Sequence, residues 1–226
     1  MDFGILLALT VPFLGTAVGA GAVLGLPVGS ERVQRGLNGF AAGAMLAAAF
    51  WNLLGPGAEE NPLAAGIGFL LGIGLVLAAE GIGEARGAGL SPAAVLMIAV
   101  VLHNIPEGMA VGITGEGGLG AVIGIALQNI PDGAVVAVPL AGMGVKKKDA
   151  FLAGVLSGAV EPVAAVLAMG LCGSAACAAP GLMGFAAGAM VYVIIRELVP
   201  RMGKEWGSMA WFCLGFLGIM GLGSVT

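Results

Sequence analysis

Apolar residues occur along the chain in eight long runs, separated by short breaks that hold charged residues, proline or glycine. Each run is about 20 residues long, which is the length an α-helix needs to cross a hydrocarbon core of roughly 30 Å. The pattern therefore predicts an all-α fold, a polytopic membrane bundle of eight transmembrane helices, here called spans one to eight. The predicted bounds are 3–26, 36–57, 62–85, 92–113, 119–141, 149–170, 180–202 and 206–224.

The composition supports this interpretation. Of 226 residues, 59% are hydrophobic and 10% are charged, whereas about 25% of a soluble domain is charged. No loop is long enough to fold as a soluble domain, so we expect one transmembrane domain over residues 1–226. The 42 glycines favour helices that approach each other closely in lipid. Span one opens without the basic segment of a cleaved signal peptide and is longer than its roughly 7–15 apolar residues, so we expect it to be retained.

The basic residues are distributed unevenly about the predicted membrane. All nine lie in odd-numbered loops or at the end of span seven, whereas the even-numbered loops hold only acidic residues or no charge. Since basic residues favour the cytoplasmic side, we predict that the odd-numbered loops of this cell-membrane protein lie in the cytoplasm and that both termini lie outside the cytoplasm. The basic residues are Arg32, Arg35, Arg86, Lys146, Lys147, Lys148, Arg196, Arg201 and Lys204.

Two short sequences occur twice in the chain. Residues 39–45 of span two, Gly-Phe-Ala-Ala-Gly-Ala-Met, recur letter for letter as residues 184–190 of span seven. Residues 103–108 of span four, His-Asn-Ile-Pro-Glu-Gly, are echoed by Gln-Asn-Ile-Pro-Asp-Gly at 128–133 of span five. The two spans of each pair run in opposite directions, so the repeats are inverted. Inverted repeats are typical of secondary transporters, which bind their substrate at the repeat interface near mid-membrane.

Ionisable and amide side chains cluster in spans four, five and six, although an ionisable residue at mid-membrane costs about 2.5–3.5 kcal/mol on insertion scales. His103 and Glu107 are four residues apart and so share one helix face, and Gln128 and Asp132 repeat that spacing on the next span. An asparagine follows the first residue of each pair, and span six adds a further carboxylate. The candidate metal ligands are therefore His103, Asn104, Glu107, Gln128, Asn129, Asp132 and Glu161.

Prolines in or beside this cluster add backbone oxygens to the possible ligands. Pro106, Pro131 and Pro162 each lack a backbone donor and free the carbonyl four residues earlier. Oxygens beside one imidazole suit zinc, iron, manganese or cadmium, whereas copper(I) prefers sulfur. The three cysteines lack the paired spacing of a thiolate site. We therefore predict a buried site for a divalent metal ion, which is the substrate of a transporter.

Other interpretations of the cluster remain open. A single His and Glu pair of this kind also occurs as a structural hydrogen bond between helices, although its duplication and the third carboxylate favour a cation site. A transporter of protons or of another solute would use the same carboxylates as a relay. An intramembrane metalloenzyme would need an activated water and a general base. The chain has one histidine and no His-Glu-x-x-His motif, so we do not expect an enzyme or a catalytic residue.

With these motifs the sequence resembles the ZIP (Zrt/Irt-like) family of divalent metal transporters, and within it the prokaryotic GufA-like branch. The resemblance covers the whole chain and rests on residues 103–108, 128–133, 157–161 and 196–200. It implies two metal positions that share Glu107 and Asp132 as bridging ligands. His103 and Gln128 complete the first position, and Asn104, Asn129 and Glu161 complete the second.

The resemblance further implies a homodimer in the lipid bilayer. It would carry divalent metal ions, zinc above all, into the cytoplasm, and we expect no nucleic acid partner. Spans one, four, five and six would slide against spans two, three, seven and eight. The sequence differs from the family at two ligand positions. Asp132 stands where Glu is usual, and Gln128 where many members have His. His103 is thus left as the single nitrogen ligand, and we expect broad metal selectivity.

Overall fold

A computed structural model describes residues 3–27, 30–85, 92–114, 118–174 and 179–223. Within these ranges the regular structure is helical, without strands, and the helical segments join into eight rods that match the predicted spans. The all-α prediction is thus confirmed. Spans three, four, five and eight are single helices, Pro62–Ala85, Pro92–Thr114, Gly118–Gly142 and Trp206–Gly223. Span one consists of Phe3–Ala20 and Ala22–Gly25, and span six of Lys147–Gly158 and Val160–Ser174. Span two consists of Glu31–Ala48, Ala49–Leu54 and Gly55–Glu60. Span seven consists of Ala179–Val193, Ile194–Leu198 and Val199–Met202.

Span two begins at Glu31, five residues before its predicted start at residue 36. Ser30 caps this end, because its side-chain oxygen accepts a hydrogen bond from the Val33 backbone amide at 3.4 Å. Arg35, which interrupts the apolar pattern, forms ion pairs with Glu31 one turn earlier and with Glu205 before span eight. The helix therefore continues beyond its apolar part, where hydropathy gives no signal.

The surface of the bundle is apolar and its interior holds polar groups. Spans three and eight expose large side chains such as Leu63, Leu70 and Trp206, whereas a water-soluble protein rarely exposes continuous apolar surface. Within the described residues, five helical segments are long and apolar enough to cross a membrane, and two shorter apolar stretches, Pro62–Ala78 and Trp206–Gly221, belong to spans three and eight. The protein is therefore a multi-pass membrane protein. The five segments are Gly4–Gly25, Glu31–Glu60, Ile125–Gly142, Lys147–Gly170 and Ala179–Met202.

The spans pack in pairs that follow the inverted repeat. The most extensive contacts join span two to span eight, span three to span seven, span one to span five, and span four to span six. Exchanging the two halves of the chain replaces span two by seven, three by eight, one by six, and four by five. This exchange converts the first pair into the second and the third pair into the fourth, so the packing has the symmetry predicted from the sequence.

Matching glycines make these contacts in the two halves. Gly43 in the first copy of the repeated heptad lies against the backbone carbonyl of Phe212 in span eight, and Gly188 in the second copy lies against that of Phe69 in span three. A Cβ atom at either glycine would overlap the facing carbonyl oxygen. In both halves the helix continues as a π-helix from the fourth residue after the heptad. Such segments often occur near functional sites.

The two heptads also pack against spans four and five, which carry most of the predicted metal ligands. Met45 and Met190, their last residues, are fully buried in the main apolar core. Ala110 of span four and Val135 of span five belong to the same core. Spans four and five thereby pack against a surface made largely of alanine and methionine.

We expect Gly43→Ala and Gly188→Ala to lower the unfolding temperature of the detergent-purified protein. Each added methyl group would meet a backbone carbonyl of the neighbouring span, and overpacking of this kind costs about 1–3 kcal/mol. Gly74→Ala in span three is the matched control, because the space around its Cβ position is open. Equal unfolding temperatures in the three variants, measured by thermal denaturation, would contradict this packing.

Candidate metal centre

Three carboxylates from three different helices lie inside the bundle. Glu107 of span four, Asp132 of span five and Glu161 of span six are each at most 2% exposed. They lie near one another, because Gly108, directly after Glu107, contacts the backbone of Glu161, and Asn129, three residues before Asp132, is hydrogen-bonded to the Glu161 side chain. Three like charges in a medium of low dielectric constant form an unfavourable group by themselves.

Two glycines allow the helices to approach closely at this place. Gly108, directly after Glu107, lies against the backbone carbonyl of Glu161 in span six, and Gly133, directly after Asp132, lies against that of Thr16 in span one. A Cβ atom at either glycine would overlap that carbonyl. The glycines that follow Glu107 and Asp132 therefore allow span four to approach span six and span five to approach span one.

Span six is interrupted directly before its carboxylate. The helix Lys147–Gly158 ends and Val160–Ser174 begins, and between them the Ala159 amide donates to the Leu156 carbonyl at 3.1 Å. This tightened turn is where Pro162 was predicted to disturb the backbone. Spans four and five behave differently, because their helices continue through Pro106 and Pro131.

Both asparagines are held through their nitrogen atoms. The Asn104 Nδ2 donates to the backbone carbonyl oxygen of Ser157 at 2.8 Å, and the Asn129 Nδ2 donates to the Glu161 Oε2 at 2.5 Å. Each amide oxygen is then turned away from these partners. An amide fixed in this way leaves its oxygen free to act as a metal ligand.

Oxygen atoms without a hydrogen-bond donor are concentrated in this region. Among the described residues, eight buried side-chain polar atoms have no such partner, and seven of them belong to the predicted ligands. All seven are oxygens, so a bound cation would satisfy them together, whereas leaving them unpaired is costly. They are the Asn104 Oδ1, both oxygens of Glu107, the Gln128 Oε1, the Asn129 Oδ1 and both oxygens of Asp132.

Six of the seven predicted ligands are thus buried in this part of the bundle. The backbone of His103 lies one turn before Glu107 in the helix of span four, while its side chain lies outside the described residues. In the described ranges, no three His, Cys, Asp or Glu side chains are grouped closely enough to hold an ion by themselves. A site formed by the described side chains alone would therefore use amide oxygens, such as those of Asn104, Gln128 and Asn129, as well as the carboxylates.

Sequence reasoning missed one residue of this site, Thr16 of span one. It is fully buried, and its Oγ1 donates to the Glu161 Oε1 at 3.1 Å. The signal in the sequence is weak: Thr16 is the only polar residue in the second half of span one, and hydroxyl side chains are common in membrane helices.

Comparison with known proteins assigns the family. A sequence model described as ZIP zinc transporter matches residues 82–223. The chain belongs to the ZIP family. Zinc transporter ZIPB of Bordetella bronchiseptica is 36% identical over 90% of this chain and 75% of its own length. Zinc transporter ZIP11 of Homo sapiens is 30% identical over 92% of both chains, and zinc transporter GufA of Myxococcus xanthus is 36% identical over 51% of this chain and 47% of its own.

Two predictions are confirmed by this assignment. The ZIP resemblance is correct, including its GufA-like branch. Because the family consists of transporters, the protein is a transporter and not an enzyme. The ligand set and the number of metal positions stay predictions.

We expect Glu107→Ala and Asp132→Ala to weaken zinc binding by about 100-fold or more, because each change removes a buried carboxylate that would face the ion. Asn104→Ala and Glu161→Ala should weaken binding less. Asn104 offers a neutral ligand, and Glu161 already accepts hydrogen bonds within the protein. Equilibrium dialysis of the purified variants would measure the difference, and equal losses in all four would contradict this division of roles.

Proposed function

We propose that this protein carries zinc, and with it other divalent ions such as iron, manganese or cadmium, across the cell membrane into the cytoplasm. The observation that supports this most strongly is the group of seven buried, donor-free oxygens on spans four and five. The names of the relatives support zinc as the main substrate. In this proposal the odd-numbered loops face the cytoplasm and the protein works as a homodimer.

The proposed site holds two ions, with Glu107 and Asp132 between them. A bridging carboxylate can offer one oxygen to each metal, and both oxygens of Glu107 and of Asp132 are without donors. His103 and Gln128 would complete the first position. Asn104, Asn129 and Glu161 would complete the second.

The ligand chemistry suits a transported ion better than a permanent one. A structural zinc site is usually closed by four Cys or His ligands, whereas here oxygens predominate and His103 is the single imidazole. A transported ion must be bound well enough to leave its hydration shell and weakly enough to be released. Neutral amide oxygens beside carboxylates meet both requirements.

The packing supports a movement in which spans one, four, five and six slide as a unit. Span one is joined to span five, and span four to span six, by close glycine contacts with backbone carbonyls. The surface that spans four and five present to the repeated heptads is formed by small apolar residues such as Ala110 and Val135. Such a surface has few directional bonds to break during sliding.

Zinc uptake into proteoliposomes tests the function. The wild-type protein should carry Zn²⁺ into vesicles that contain a fluorescent zinc indicator. Glu107→Gln should reduce the initial rate of Zn²⁺ uptake at least about tenfold, because a neutral amide replaces a buried charge. Glu60→Gln is the matched control, since this residue is exposed at the end of span two. Proton or solute flux without Zn²⁺ uptake by the wild type would favour the carboxylate relay instead.

Metal selectivity tests the contribution of span five. The double change Gln128→His with Asp132→Glu restores an imidazole and the longer carboxylate, and we expect it to raise zinc uptake relative to manganese uptake, because imidazole favours zinc. The measurement is a competition assay with both metals present and equal amounts of protein per vesicle. An unchanged zinc-to-manganese ratio would show that selectivity is determined elsewhere.

A further inference from the structure

The three buried carboxylates differ in their hydrogen bonding. Both oxygens of Glu161 accept a bond, one from the Thr16 Oγ1 at 3.1 Å and the other from the Asn129 Nδ2 at 2.5 Å. Within the described part of the chain, no donor reaches either oxygen of Glu107 or of Asp132. Glu161 is thus the carboxylate whose charge the protein already shares.

Thr16 is fixed by its surroundings. A Cβ atom placed on Gly158 would lie 2.8 Å from the Thr16 Cγ2, so span six contacts the threonine side chain directly. The backbone carbonyl of Thr16 contacts Gly133 of span five. The side chain therefore has little freedom, and its hydroxyl group is directed at Glu161.

The inverted repeat gives Thr16 a definite place. Gly133 of span five contacts the Thr16 carbonyl in span one, just as Gly108 of span four contacts the Glu161 carbonyl in span six. Exchanging the halves of the chain therefore exchanges Thr16 and Glu161. One half supplies a carboxylate at this place, and the other supplies the hydroxyl group that binds it.

Charge balance gives the two metal positions an order. In their ionised, metal-binding form, Glu107 and Asp132 carry two negative charges that no donor shares, which is enough to neutralise one divalent ion. Glu161 shares its charge with two donors, and hydrogen bonds to an ionised group are roughly twice as strong as neutral ones. Glu161 therefore attracts a first ion less strongly than Glu107 and Asp132 do, but it is already oriented as a ligand for a second ion.

We propose that Thr16 is a positioning residue for the second metal position. Together with Asn129 it holds the Glu161 carboxylate in one orientation and shares its charge. The second position therefore fills after the first. This inference rests on the proposed two-metal site. A group that orients a metal ligand typically contributes about 10–100-fold in affinity, and Thr16 should do so for the second ion alone.

Equilibrium dialysis against buffered Zn²⁺ tests this on the purified full-length protein. The wild type should bind one ion tightly and a second more weakly. Thr16→Val keeps the shape and removes the hydroxyl group, and should weaken the second step at least tenfold while changing the first less than threefold. Thr16→Ser, which keeps the donor, should retain both steps. Thr10→Val is the matched control, because the Thr10 hydroxyl group is bonded within its own helix to the Leu6 carbonyl.

Several results would overturn the inference. One is an unchanged affinity of the second binding step in Thr16→Val, and another is a comparable loss of affinity in both steps of that variant. An equal loss of affinity in Thr16→Ser would indicate a packing role for Thr16. A single bound ion in the wild type at saturating Zn²⁺ would also overturn it, while leaving the proposed transport intact. A wild type that binds no Zn²⁺ would instead contradict the proposed function, and this inference with it.

A second pair of variants keeps the test decisive if Thr16→Val does not fold. Glu161→Gln should remove the second step and weaken the first far less than Glu107→Gln, which should weaken both. If Glu161→Gln weakens the first step as strongly as Glu107→Gln does, Glu161 belongs to the first position and the inference is wrong.

Discussion

The mutual repulsion of Glu107, Asp132 and Glu161 is the constraint on which the rest of the structure depends. Like charges buried in a bundle separate, titrate or bind a cation, yet here three helices hold them close together. The ion pairs described, such as Arg35 with Glu31 and Arg201 with Glu197, involve other residues, on spans two and seven. The surrounding packing therefore contributes to the free energy that keeps the three carboxyl groups together when no ion is bound.

Close helix packing supplies part of that free energy. In lipid, helices are held together by van der Waals contact more than by the hydrophobic effect, and small residues increase that contact. Glycines contact facing carbonyls between spans one and five, between four and six, and in both heptads. The positions that let the ligands meet are therefore also those that hold the bundle together.

The sequence predicts the spans well because the membrane imposes both length and hydropathy. It also indicates a buried polar cluster, since four-residue spacing places Glu107 on the face of His103 and Asp132 on the face of Gln128, while the ligand set itself stays a prediction. It does not show where span two begins, because the Ser30 cap and the Arg35 ion pairs lie beyond the apolar run.

Helix pairing and the hydroxyl group of Thr16 escaped prediction for a different reason. Glycine spacing occurs in nearly every span, so the sequence alone cannot assign a glycine to its neighbour. Gly15 and Gly19, for example, both lie against backbone carbonyls of span five, and only the structure shows which span they contact. Thr16 carries no charge and follows no repeat that the sequence displays.

The place shared by Thr16 and Glu161 has a consequence for how such a protein can be encoded. Two identical half-length chains, assembled antiparallel, would carry either two carboxylates or two hydroxyl groups there. Two carboxylates would add a fourth charge to the site, and two hydroxyl groups would leave a ligand missing. Joining both halves in one polypeptide removes this restriction, because each copy can then mutate independently. A hydroxyl group at one place and a carboxylate at the equivalent place, as in Thr16 and Glu161, thus require the two halves to differ, which a symmetric assembly of identical chains does not allow.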